Sequence, residues 1–255
     1  MSTQPLLSAQ GLCKTFGGVK AVRQAGIEVT KGSITGLIGP NGAGKTTFFN
    51  LLSNFIRPDS GRIELNGRAI QHLQPHQIAR LGMVRTFQVA KALSRMSVLE
   101  NMLLGAKEPV GEKVWEVLLQ PSLIRARQLE LKDKAMSILT SVGLSAKAND
   151  YAGGLSGGQR KLLEIGRALM ADPQLILLDE PAAGVNPRLI DDICGHILDW
   201  REDGLTFLII EHNMDVIMTL CDRVWVLAEG TNLVDGTPNT VQNDRRVIEA
   251  YLGID

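Results

Sequence analysis

The sequence predicts an α/β fold: a parallel sheet carrying a phosphate-binding loop, an antiparallel β layer ahead of that loop, and a helical subdomain inserted into the sheet. Three observations predict it. Gly39-Pro40-Asn41-Gly42-Ala43-Gly44-Lys45-Thr46 fits G-x-x-x-x-G-K-[ST] and lies between a strand-like and a helix-like run. Residues 175–227 alternate short apolar runs with helical ones, the pattern of a parallel sheet whose ligands sit at the strands' C-terminal ends. From about residue 88 the character changes to apolar residues at helical spacing among many charges.

Taken in order, Leu6–Ala9, Val19–Val22 and Ala25–Val29 are short strand-like runs broken by glycine, which together read as an antiparallel layer. Ser33–Ile38 is a strand entering the phosphate loop, and Thr46–Leu52 a helix leaving it. Gly61–Gly67 is a strand closing on Asn66-Gly67, a turn pair. Val98–Leu104, Val114–Leu119 and Ala126–Val142 have helical spacing, and residues 88–165 are read as the helical subdomain. The core is then 1–87 and 166–255, within a single domain of 1–255. Its second half runs as strand Leu175–Leu178, helix Pro187–Trp200, strand Thr206–Ile210, helix Met214–Cys221 and strand Val224–Leu227. There is no internal repeat and no low-complexity run.

The loop carries its own chemistry. Its glycines let the chain turn tightly, so successive N–H groups point inward at phosphate oxygens. Lys45 is placed to reach the β- and γ-phosphates, and the Thr46 hydroxyl to ligate Mg²⁺. The following helix points its positive end at the same phosphates. Leu175-Ile176-Leu177-Leu178-Asp179-Glu180 delivers two carboxylates at the tip of an apolar strand. Beside a phosphate loop, the first acid suits an Mg²⁺ ligand and the second a group that orients or deprotonates water. Leu155-Ser156-Gly157-Gly158-Gln159 precedes a helical run, with Ser156 as its expected N-cap and two glycines exposing backbone N–H groups.

Composition narrows the function class. The 27 basic and 27 acidic residues balance, which gives no bulk charge to hold nucleic acid or an anionic membrane. Cys13, Cys194 and Cys221 are scattered and odd in number, with no metal spacing, so a reducing compartment is expected. The first residues show no basic stretch followed by an apolar core, and no run approaches the length of a membrane span. Any membrane role is expected to come through a partner.

With these motifs in place, the chain resembles the ATP-binding subunit of ABC transporters over its whole length. Further residues agree in order. Gln88, in Arg85-Thr86-Phe87-Gln88, is similar to the family's Q-loop. His212, in Ile210-Glu211-His212, is similar to the switch histidine. Phe16 is similar to the aromatic that stacks on adenine, and Ala183-Gly184-Val185-Asn186 to the D-loop, with Asn186 where that loop usually ends in Asp. Within the family, Arg85–Gln88, Ser97–Asn101, Glu180–Gly184, Glu211–Met214 and the closing Val247–Gly253 look like branched-chain amino acid importer ATPases, as does an insert of roughly residues 105–130. Neutral amino acid, urea and short-chain amide importers are similar proteins. The lipopolysaccharide-export ATPase shares the Tyr251-Leu252-Gly253 ending but lacks the Arg-Thr-Phe-Gln run.

The resemblance implies a P-loop NTPase core that binds ATP and Mg²⁺ and hydrolyses ATP. Gly39 to Thr46 and Thr47 hold phosphate, and Thr46, Asp179 and Gln88 hold Mg²⁺. Glu180 is the general base, His212 orients water and the γ-phosphate, and Lys45 and Gln88 share in catalysis. Ser156, Gly157, Gly158, Gln159 and Asn186 meet ATP bound to a second ATPase subunit, placed head to tail in a homo- or heterodimer. Two transmembrane permeases dock near Gln88 and the helices after it. A periplasmic or secreted binding protein delivers substrate, and the ATPase sits peripherally at the cytoplasmic face of the membrane. A DNA-repair ATPase of this kind carries a long coiled coil and a translation-factor ATPase carries two cassettes; this sequence has neither. A catalytically dead paralogue loses Lys45 or Glu180, and both are present.

Overall fold

The computed structural model describes residues 4–86, 93–107 and 121–252. Gln88 and the run Val114–Leu119 lie outside the described residues, as does much of the 105–130 insert. The chain divides into two units. The first comprises Met1–Arg85, Gln174–Ala183 and Ile197–Asp255; the second comprises Thr86–Pro173 and Gly184–His196.

The first unit is built from two sheets. β1 (Leu7–Phe16) pairs antiparallel with β2 (Val19–Val29) and β4 (Ser60–Leu65), and β5 (Arg68–Ala69) extends the edge, giving the order β2-β1-β4-β5. The runs read separately as Val19–Val22 and Ala25–Val29 are one strand. The interruption between them is a register shift, with Gln24 in the left-handed region at φ 51°. A bulge of this kind takes up an extra residue without ending the strand.

The second sheet has the order β10-β9-β3-β8-β7-β6, formed by β3 (Ile34–Ile38), β6 (Met83–Arg85), β7 (Leu175–Asp179), β8 (Thr206–Ile210), β9 (Arg223–Ala228) and β10 (Thr231–Gly236). β6, β7, β8, β3 and β9 run parallel, and β10 returns antiparallel at the edge. β3, β7 and β8 are buried at every residue, which explains why apolar residues dominate them. Phe48, Phe49, Leu51 and Leu52 of α1 (Lys45–Leu52) are fully buried in one core with Leu7, Leu12 and Ile27 of the antiparallel layer and Leu37, Leu177 and Leu208 of the parallel sheet. The Asn232 side chain accepts from Gly26 N at 2.6 Å and donates to Gly26 O at 2.9 Å, joining β10 to β2. α2 (Pro75–Arg80) leads into β6.

The second unit packs α3 (Val98–Leu103), α4 (Pro121–Ser141) and α5 (Gly157–Leu169) around Met102, Ala135, Leu139, Leu162, Leu163 and Ile165. Two capping boxes start its helices. Ser97 exchanges hydrogen bonds with Glu100, and Ser156 with Gln159, so the expected N-cap at Ser156 is present. Asn101, fully buried, bonds both backbone groups of Leu93 and the Ser97 carbonyl, fixing the chain that leads into α3. α6 (Pro187–Glu202) begins in this unit. α7 (Met214–Leu220), α8 (Pro238–Gln242) and α9 (Arg245–Leu252) belong to the first. Among the described residues no helix is long and apolar enough to cross a membrane.

Candidate active site

The first unit's parallel sheet sets the site. β3 ends at Ile38 and turns into the phosphate loop. In neighbouring strands β7 ends at Asp179, level with Ile210 at the end of β8. The strand tips therefore present the loop, the acid pair Asp179-Glu180 and Glu211-His212 at the same edge of the sheet, where a parallel α/β sheet binds ligands.

Two of the loop's glycines are required by its geometry. Gly39 has φ 153°, and a Cβ there would lie 2.0 Å from Leu227 O; Gly44 has φ 92°, and a Cβ there would lie 2.4 Å from Ala21 O. The loop thus runs against β9 and β2 more closely than any side chain allows. Gly44 ends it as the N-cap of α1, so the helix's free N–H groups open into the cavity beyond. That cavity, of about 510 Å³, is lined by Asn41 to Thr47, Glu180, Glu229, Gly230 and residues of β2. Lys45 Nζ donates to Gly39 O at 2.7 Å and Pro40 O at 3.0 Å. Burial holds its ammonium below the usual lysine range, and the Glu180 carboxylate opposes that shift. Thr46 is exposed and Thr47 half-buried.

Glu180 stands at φ 49°, an uncommon conformation for a residue with a side chain, and it closes a turn by accepting from Ala183 N. Its Oε1 lies 3.5 Å from His212 Nδ1, and His212 is exposed. Asp179 is almost wholly buried and takes a hydrogen bond from Arg85 at 3.0 Å. Thr46 and Asp179 offer a hydroxyl and a carboxylate, the hard oxygen donors that Mg²⁺ takes. No group of three His, Cys, Asp or Glu among the described residues is placed to hold a metal.

Phe16 sits at the exposed end of β1, 44% accessible, with Lys14 Nζ 5.5 Å from its ring centre. It does not line the phosphate cavity; Val19, Lys20, Ala21 and Arg23 of the next strand do. Gly39 and Pro40 lie behind the loop rather than in that cavity.

Ser156, Gly157, Gly158, Gln159 and Asn186 lie in the second unit. Ser156 and Gly157 are exposed, whereas Gly158 is buried, and a Cβ there would meet Leu189 Cδ2 at 1.7 Å. The start of α5 therefore packs directly on the start of α6. Asn186 Oδ1 accepts from Leu189 N at 3.0 Å, capping α6 as an aspartate in that position does.

Two residues of the site escape a motif reading that takes them only as neighbours of named positions. Arg85 holds Asp179, Asn50 and Ser53 together. Glu211, 1% exposed, accepts from Ala182 N at 2.8 Å, His212 N at 3.1 Å and Asn213 N at 3.3 Å, tying the turn after Glu180 to the histidine. Glu211→Gln turns an amide NH₂ toward donors. It is expected to lower stability by about 1–3 kcal/mol, read as a lower urea midpoint at constant m. An unchanged midpoint would show that the three N–H groups do not depend on the carboxylate.

The ABC transporter family model matches residues 22–183, and the model for the branched-chain amino acid ATP-binding cassette transporter matches residues 232–255. The chain is similar to a probable branched-chain amino acid transport ATP-binding protein LivG of Archaeoglobus fulgidus, with 42% identity covering 97% of this chain and 95% of the relative. It is 41% identical to the high-affinity branched-chain amino acid transport ATP-binding protein LivG of Escherichia coli, covering 98% and 99%. Among solved structures, a nucleotide-free ATP-binding cassette from an ABC transporter superposes with TM-score 0.85 at 39% identity, covering 97% of this chain and 99% of that one. A structure of the ADP conformation of an ATP-binding cassette of an ABC transporter gives 0.84 at 38%, covering 98% and 100%. The chain belongs to the ABC transporter family, as one of its ATP-binding cassettes.

Proposed function

We propose that this ATPase powers an importer for branched-chain or other neutral amino acids. The phosphate cradle around Lys45 supports ATP as the fuel. The single observation that carries the substrate class is the near full-length likeness, at 41–42% identity, to cassettes named for branched-chain amino acid transport. The match of residues 232–255 to the branched-chain model adds to it.

In this reading the loop from Gly39 to Thr46, with Thr47, holds the triphosphate: Asn41 to Thr47 offer backbone N–H groups, the Lys45 ammonium reaches the β- and γ-phosphates, and Gly39 and Pro40 shape the turn behind them. Thr46 and Asp179, with Gln88, would hold Mg²⁺, which supplies charge neutralisation across the phosphates. Glu180 takes the proton of the attacking water, and His212 steers water and γ-phosphate. Phe16 stacks on the base. Ser156, Gly157, Gly158, Gln159 and Asn186 of a second cassette close on the γ-phosphate, so that ATP joins two subunits head to tail and hydrolysis parts them. The motion passes to two membrane-spanning permeases at the cytoplasmic face of the membrane, served by a substrate-binding protein.

The experiment is leucine uptake by membrane vesicles carrying the full transporter, with the wild-type chain or Lys45→Ala. Removing a charge-assisted partner of two phosphates should weaken ATP binding by about 100-fold or more and stop uptake. ATP binding that survives Lys45→Ala would remove the loop from its role. Hydrolysis without uptake of any branched-chain or neutral amino acid would overturn the substrate class.

A further inference from the structure

The phosphate loop has two sides, and the nucleotide reading uses only one. Behind the loop lies a second cavity, of about 810 Å³, with Pro40, Asn41, Gly42 and Ala43 on one wall and Tyr251 and Leu252 on another. α9 stands across this space, and one bond bridges it. Gly39 N donates to the Tyr251 hydroxyl at 2.9 Å, between residues 212 positions apart in the chain. Gly39 is thereby gripped at both ends, its N–H by Tyr251 and its carbonyl by Lys45 at 2.7 Å.

We infer that α9 is a brace for the phosphate loop, and that Tyr251 is a positioning residue for nucleotide binding, acting through the Gly39 backbone. A loop with three glycines at positive φ, Gly39, Gly42 and Gly44, has much conformational freedom to lose on ordering. Phosphate-binding amides serve best when fixed before the ligand arrives, since ordering done beforehand is not subtracted from affinity. Gly39 is where the loop departs from the rigid strand β3, so a bond there sets the direction of everything that follows. The cradle's inner face must stay open for phosphate, which leaves the outer face for a brace.

Tyr251 suits the task. Its phenol is held on a helix that itself docks on the unit's core through Val247, 5% exposed. Burial pushes the hydroxyl above the ordinary tyrosine range, against the pull of the Gly39 N–H bond, so it stays a neutral acceptor at working pH. Tyr251 keeps 41% of its surface exposed, so loss of the hydroxyl lets water replace it at Gly39. Nucleotide affinity, rather than folding, should register the change. The position also gives the C-terminal segment matched by the branched-chain model a physical task at the nucleotide site.

The inference rests on the phosphate-loop reading and is tested separately from it. In the full chain, Tyr251→Phe removes one oxygen and keeps the ring; Leu252→Ala, at a residue 64% exposed on the same helix, is the control. Nucleotide affinity is read by calorimetry with ATP and with ADP, and the Gly39 amide by hydrogen exchange. Tyr251→Phe is expected to weaken both nucleotides about three- to tenfold, the worth of one neutral hydrogen bond. KM for ATP should rise by the same factor with kcat within about twofold, since the bond serves ground and transition states alike. The Gly39 amide should exchange faster, and Leu252→Ala should change none of these. Unchanged nucleotide affinity in Tyr251→Phe overturns the inference, as does equal weakening in Leu252→Ala, which would mark a general loosening of the helix. A failure of Lys45→Ala to lose nucleotide sinks the loop reading instead, whatever Tyr251 does.

Discussion

Glu180→Gln should bind ATP with near wild-type affinity and hydrolyse it about 100- to 10,000-fold more slowly, the range a positioned general base supplies. The substitution keeps the side chain's size and its contact near His212 but leaves no group able to accept the water's proton. The backbone supports the assignment. Glu180 is held in the left-handed region at φ 49° immediately after a fully buried strand, and such strain persists where the surroundings over-determine it. Its side chain lines the phosphate cavity while the Asp179 side chain before it is buried beneath. One carboxylate is thus offered to water and the other withheld from it. Phosphate release over a single turnover, beside ATP binding by calorimetry, makes the measurement. Hydrolysis within about tenfold of wild type would remove Glu180 from the proposed role and leave the base to another group.

The other large effect is expected at Arg85. Its guanidinium bonds Asn50 Oδ1 at 2.6 Å, Ser53 Oγ at 3.1 Å and Asp179 Oδ2 at 3.0 Å, and its centre lies 4.9 Å and 5.4 Å from the ring centres of Phe49 and Phe55. Both members of the ion pair are buried, with side chains 9% and 4% exposed. Arg85→Met keeps most of the volume and removes the charge, leaving the Asp179 carboxylate without its counter-charge. Breaking a buried pair from one side costs about 3–5 kcal/mol, which urea unfolding resolves easily. Arg85→Met with Asp179→Asn should recover part of that loss, because no charge is then stranded. A single-variant loss under about 1 kcal/mol, or no recovery in the double variant, would mean that the pair contributes no more than a surface one. The arrangement also gives Asp179 a fixed orientation, with Arg85 holding one carboxylate oxygen.

What the sequence made legible was local. The eight residues from Gly39 to Thr46 encode their own turn and their own donors, so spacing alone predicts the loop. The apolar runs Leu175–Leu178 of β7 and Phe207–Ile210 of β8 announce burial on both faces, and Ser156 with Gln159 spells out its cap within four residues. β6 is three residues long and β5 two, too short to show a period. α2, at six residues, begins after Gln74 with Pro75 at its first turn, and the motifs around it draw attention elsewhere. The supporting residues of the site were hidden for a different reason. Arg85 reaches Asp179 across 94 positions, Glu211 reaches Ala182 across 29, and Tyr251 reaches Gly39 across 212. Nothing in a single sequence links such positions, because their meeting is a property of strand order.

Strand order also governs when the site can exist. β3, which leads into the phosphate loop, pairs with Phe207–Ile210 on one side and Arg223–Val226 on the other. During synthesis Ile34–Ile38 therefore leaves the ribosome with neither lateral partner made. At about 5–20 residues per second, roughly ten to forty seconds pass before β8 and then β9 follow it. Throughout that interval a strand apolar at nearly every position has no sheet to join, the condition under which nascent chains aggregate or recruit chaperones. Nucleotide cannot protect it, since the loop's close approach to Leu227 O requires β9 in place. The newborn chain can become an ATPase only once β9 has been made and paired.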